Sequence, residues 1–91
     1  MGGRMPAAAF KAGRMTPEDA ILTLLAERAE GATICPSEAA RRLAGSQGDW
    51  RAEMNAVHAA TDQLAEAGTI TLSWKGADIQ KRRGPYRIAR R

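Results

Sequence analysis

The chain contains one cysteine, Cys35, so it cannot form an internal disulfide, and a secreted disulfide scaffold is excluded. It also contains one histidine, His58. One Cys and one His fall short of the four ligands of a structural zinc site, and no metal is expected. Aromatic residues make up only 4% of the 91, which leaves the core to aliphatic side chains. No apolar run approaches the ~18–20 residues of a membrane span. Pro6-Ala7-Ala8-Ala9-Phe10 is too short for a signal-peptide core of about 7–15 apolar residues. Neither a phosphate-cradling glycine loop nor a paired-carboxylate signature is present. A mass of 9.8 kDa makes one small domain, with no room for a deep substrate cleft. These absences point away from an enzyme, a cofactor and a membrane, and toward a small cytoplasmic binding module.

What is present favours helix and a basic partner surface. Alanine occurs 19 times, and alanine is the strongest helix former. The net charge of +4 is unevenly spread. Residues 1–15 carry Arg4, Lys11 and Arg14. Residues 75–91 carry Lys75, Lys81, Arg82, Arg83, Arg87, Arg90 and Arg91 against Asp78 alone. Between them, residues 16–74 hold four arginines against nine acids. An acidic body with two basic ends is drawn to polyanions by those ends. The plainer reading of the same charge is a solvated tail.

The local patterns divide the chain into an N-terminal arm, 1–15, and a domain, 16–91. The arm has glycines, one proline and no apolar stripe. Thr16-Pro17-Glu18-Asp19 is a helix start, with Thr as cap, Pro at the first position and acids in the first turn. The stripe Ile21, Leu22, Leu24, Leu25, Ala29 predicts a helix over 17–30, ended by Gly31. Thr33-Ile34-Cys35 is long enough for an edge strand only. Cys35-Pro36-Ser37-Glu38 predicts a second helix over 36–44, with Glu38 reaching back to the Cys35 N–H as in a capping box. Asp49 caps a third helix that runs to about Ala67, with Trp50, Met54, Val57, Thr61 and Leu64 inward. After Gly68 the period changes to two: Ile70, Leu72 and Trp74 alternate with Thr71 and Ser73. Lys75-Gly76 opens a loop and Gly84-Pro85 closes it, and Tyr86-Arg87-Ile88 is a second strand. The expected core is Trp50, Trp74, Ile21, Leu25, Leu43, Met54, Val57, Leu64, Ile70 and Leu72.

Helix, strandlet, helix, turn, helix, hairpin is the order of a winged helix-turn-helix, an α+β fold of three helices with a C-terminal β-hairpin wing. The strings Thr33-Ile34-Cys35-Pro36-Ser37-Glu38-Ala39-Ala40-Arg41, Trp50-Arg51 with Met54 and Val57, Lys75-Gly76 and Arg83-Gly84-Pro85 together resemble a small bacterial family of unknown function, domain of unknown function 3253. The resemblance covers about residues 17–88. It implies a winged-helix fold and a bacterial cytosolic setting, and it supplies no mechanism.

In a winged helix the exposed face of the third helix enters the major groove. That face is expected to hold Arg51, Asn55, His58 and Asp62. Arg pairs with guanine and Asn with adenine through two hydrogen bonds each. The acids of the same helix, Asp49, Glu53, Asp62 and Glu66, would be repelled by phosphates. The wing cations Lys75, Lys81, Arg82, Arg83 and Arg87 are the stronger candidates, because they could straddle a phosphate backbone. The alternative for them is a strand edge guarded by charge against aggregation. Cys35 at a helix start reads either as a reactive thiol or as a small packing residue, and no base lies near it in sequence. The expectation is therefore a non-enzymatic nucleic-acid-binding module, with duplex DNA as partner. A protein-interaction module using the acidic helical face is the alternative. No heptad or extra helix requires a dimer, so the oligomeric state stays open.

Overall fold

The computed structural model describes residues 15–91. The expected arm therefore lies outside the described residues except for Met15, which packs against the core. Helix α1 spans Pro17–Glu27. Thr16 Oγ1 accepts from the Asp19 N–H, and the Asp19 carboxylate accepts from the Thr16 N–H, so two of the orphan donors at the helix start are satisfied. The helix stops three residues short of the expected end because Arg28 turns extended, with φ −98° and ψ 160°.

Strand β1 (Thr33–Ile34) leads into α2 (Pro36–Ala44). Pro36 sits at the start as expected, but the capping box does not form: no side chain caps Cys35. Glu38 instead accepts from Arg28 Nη2 at 2.7 Å, tying α2 to the end of α1. The expected third helix is two pieces. A 3₁₀ turn, Trp50–Glu53, precedes α3, Met54–Glu66. Asp49 caps the 3₁₀ turn by accepting from the Arg51 N–H at 3.1 Å.

Past Gly68 (φ +80°), the chain forms β2 (Ile70–Trp74), β3 (Ala77–Ile79) and β4 (Arg87–Arg90). The four strands make one antiparallel sheet in the order β1-β4-β2-β3. The expected pairing of the last two strands is present, with Leu72 opposite Ile88 and Ser73 opposite Arg87. The expected two-stranded flap is not isolated, however. Lys75-Gly76 is a two-residue hairpin turn with φ +54° and +82°, and it sends β3 back along the free side of β2, Trp74 opposite Ala77. The long loop is thus residues 80–86. On its other side β4 pairs with β1, Ile34 opposite Ile88.

The class is α+β, with three helices and a four-stranded antiparallel sheet that share one core. The core joins Ile21, Leu24 and Leu25 of α1, Ala39 and Ala40 of α2, Val57 and Ala60 of α3, and Ile34, Ile70, Leu72, Tyr86 and Ile88 of the sheet side. Several expected core residues, Leu43, Trp50, Met54 and Leu64, pack only partly against it. Alanines on α2 and α3 take the inner places, which lets the helices approach closely without large side chains.

Candidate functional site

Trp74 ends β2 beside the hairpin turn. Its parity matches Ile70 and Leu72, yet at the sheet tip it is only half-buried. Lys75 Nζ lies 4.6 Å and Arg83 Cζ 4.2 Å from its ring centroid. A cation over an indole face is attracted to the ring quadrupole by about 0.5–1 kcal/mol at an exposed site. The loop passes close to the ring: a Cβ on Gly84 (φ +52°) would fall 2.6 Å from Trp74 Nε1. That Nε1 is buried with no hydrogen-bond partner among the described residues.

Two contacts fasten the loop to α3. Arg82 donates to the Asp62 carboxylate in a two-point fork, Nε to Oδ1 at 2.7 Å and Nη2 to Oδ2 at 3.0 Å. The hydrogen-bonded guanidinium holds the Asp62 carboxyl below its ordinary range. Four residues on, Tyr86 is buried and its hydroxyl meets His58 Nδ1 at 2.8 Å and Thr61 Oγ1 at 3.5 Å. Thr61 donates its one proton to the Val57 carbonyl at 2.8 Å. The close contact of the hydroxyl is the one to His58, in which the imidazole tautomer sets which atom donates. Burial lowers the His58 pKa, the Arg82 charge lowers it further, and Asp62 opposes. Burial likewise pushes the Tyr86 phenol up.

The depressed His58 has a measurable consequence. Below its ordinary value of 6.5 the unfolded chain takes up a proton that the folded chain still refuses, so stability is full above that pH and declines as pH falls through the histidine range. The thermal midpoint is expected to drop between pH 7.5 and 5.5, and the drop should shrink in His58→Gln. A flat wild-type midpoint over that interval contradicts the assignment. Asp62 and Glu27, whose pKa values their arginine partners lower, lose their contribution only in the more acidic carboxylate range.

A second tryptophan repeats the pattern. Arg41 Cζ and Arg51 Cζ each lie 4.6 Å from the Trp50 centroid. Arg41 and Trp50 border an open concavity of about 440 Å³ lined also by Arg42, Gly45, Ser46 and Gly48. Arg42 is engaged by Glu27, with Nη2 to Oε1 at 2.9 Å and Nη1 to Oε2 at 3.1 Å.

The expected site residues thus separate. Lys75 and Arg83 meet on Trp74, and Lys81 is exposed on the loop. Arg82 is held by Asp62, and the Arg87 side chain reaches from β4 to β1, its Nε donating to Thr33 Oγ1 at 3.0 Å. Asn55 is exposed on α3, whereas His58 is half-buried against Tyr86. Arg51 belongs to the Trp50 cluster, which sequence reasoning missed together with Arg41. A signal existed: each tryptophan is followed directly by a cation, Trp50-Arg51 and Trp74-Lys75.

The class defined by this geometry is a small α+β domain with two tryptophan–cation clusters, one at the turn between α2 and α3 and one at the sheet tip. The chain belongs to the family described as Protein of unknown function (DUF3253), whose model matches residues 14–91. The family resemblance drawn from the sequence strings is borne out over its whole span. No curated protein matches the chain. Among the described residues, no helix is long and apolar enough to cross a membrane, and no group of three His, Cys, Asp or Glu is placed to hold a metal ion.

Proposed function

We propose that this chain is a non-enzymatic winged-helix module that docks on duplex DNA through its sheet-tip loop. The strand order β1-β4-β2 beside α2, turn and α3 supports the winged-helix reading, with β3 as an added strand on the wing. The observation that carries the docking reading is the state of the loop cations. Lys75, Lys81 and Arg83 have no carboxylate partner among the described residues, while Arg82 alone is bound to Asp62. Arg82 then serves as the strut that aims the loop, and the other three are free to meet phosphates. The same ion pair neutralises Asp62, one of the acids that weigh against α3 near a backbone.

The cations over Trp74 also bear on the kind of nucleic acid. A single-strand platform needs an open aromatic face on which bases stack. Here Lys75 and Arg83 occupy the ring, which favours phosphate contact along a duplex. The alternative partner surface, the acidic helical face, loses Glu27, Glu38 and Asp62 to ion pairs inside the domain.

Binding to a 20-base-pair duplex across a salt series tests the reading. Three phosphate contacts contribute about −2.7 to the log–log salt slope. The variant Lys75→Ala/Lys81→Ala/Arg83→Ala is expected to flatten the slope by that amount. A fourfold rise in salt should then weaken the wild type about 40-fold more than the variant. Equal slopes for the two proteins, or no binding by the wild type, defeats the proposal.

A further inference from the structure

We infer that Arg41 and Arg51, held on Trp50, form a second phosphodiester clamp that grips the duplex strand on the far side of α3 from the wing. The inference rests on the duplex-docking reading above and adds a site to it. The argument begins with what each arginine of the region is doing. Arg28 and Arg42 are bound to Glu38 and Glu27 at 2.7 and 2.9 Å. Arg41 and Arg51 have no carboxylate partner among the described residues, although Asp49 lies two residues from Arg51; its carboxylate is turned to the Arg51 backbone N–H instead. Both guanidinium groups rest on one indole at 4.6 Å. Two like charges collected around one ring repel each other, and the ring attraction of about 0.5–1 kcal/mol each only partly offsets this. An incoming anion relieves it.

Stacking also prepares the groups for a phosphate. A guanidinium lying on a ring keeps its N–H donors in its own plane, pointing past the ring edge, and loses less rotamer freedom when an oxyanion arrives. The adjoining concavity is bordered by Ser46 and Gly45, and nothing lies within 4 Å of where a Gly45 Cβ would stand, so backbone there is open to a phosphate. Mononucleotide or base stacking is disfavoured here for the same reason as at Trp74, because cations already occupy the aromatic.

The span from Arg51 to the residue that pins the loop supports a shared ligand. Arg51 stands at the start of the 3₁₀ turn, and Asp62, where Arg82 pins the loop, is near the end of α3. At 2.0 Å per residue through the 3₁₀ turn and 1.5 Å through the α-helix, the two positions are about 18 Å apart along the axis. That distance spans a major groove about 12 Å wide with a phosphate strand at each lip. The segment of α3 between the clamps exposes Asn55, Ala56 and Ala59, which offers little bulk against close approach.

The test uses the full chain and the same duplex. Arg41→Gln/Arg51→Gln is expected to keep the wild-type thermal midpoint within a few degrees and to flatten the salt slope by about 1.8. Across a fourfold salt change this is about tenfold in affinity. The amide indole signal of Trp50 should shift on adding duplex to the wild type. An unchanged slope in this variant, with a flattened slope in the loop variant, overturns the clamp and spares the wing. An unchanged slope in both variants, or no wild-type binding, overturns both.

Discussion

Ile88→Ala is expected to leave the protein close to unfolded at 37 °C. Ile88 is fully buried on β4, with Ile34 opposite on one side and Leu72 on the other. It stands in register between apolar residues of both strands that flank β4. Removing three carbons from such a site forfeits the transfer energy and leaves a cavity that two hydrogen-bonded strands prevent from collapsing, a loss of about 2–5 kcal/mol. A domain of this size holds about 4–12 kcal/mol in all. The midpoint should fall by about 4–8 °C per kcal/mol, and Ile88→Val should lose far less. Chemical denaturation read by tryptophan fluorescence checks this. A loss below about 1 kcal/mol for the alanine variant would mean that β4 is not the strand that holds the sheet together.

Gly48→Ala is expected to be the most damaging change at the turn between α2 and the 3₁₀ segment. A Cβ there would lie 2.2 Å from the Ala44 carbonyl oxygen and 2.9 Å from the Ala44 Cβ. The obstruction is backbone, so no side-chain rotation relieves it, and the turn itself has to open. Overpacking of this kind is worth about 1–3 kcal/mol. Opening the turn also carries Trp50 away from Arg41, so emission from Trp50 should change together with the midpoint. Gly31→Ala is the proper comparison. Nothing lies within 4 Å of its added carbon, and only the left-handed backbone at φ +87° resists, by roughly 1–2 kcal/mol. A Gly48→Ala midpoint at or above that of Gly31→Ala sinks the steric account.

Most of the helical frame was legible because its signals are local. Thr16-Pro17 starts α1, Pro36 starts α2, Gly68 ends the third helical segment, and alternation marks β2. Strand β3 was not legible, since Ala77-Asp78-Ile79 is too short for a period to show and exists by pairing with β2. The capping box at Cys35 failed for a nonlocal reason: Arg28, ten residues upstream, claims Glu38. One flank of the expected reading face of α3 is engaged within the domain. A helical wheel places His58 and Asp62 outward, but loop 80–86 folds onto that flank through Arg82 and Tyr86. The two tryptophans fit apolar stripes and so read as core, while their real neighbours are cations. Hydrophobic spacing reports which side of an element faces inward; it does not report how deep a residue sits at its end.

The place of β4 in the sheet has a consequence for biosynthesis. The strand that stands between β1 and β2 is translated after both of them, and its contacts with β1 reach back more than fifty residues, Ala89 to Thr33. While a nascent chain still lacks Arg87–Arg90, Ile34 and Leu72 have no strand between them, and the helices emerge onto a half-built floor. Native structure therefore waits for this segment to emerge, then forms cooperatively, with the slow closure of that long loop as its expected kinetic bottleneck.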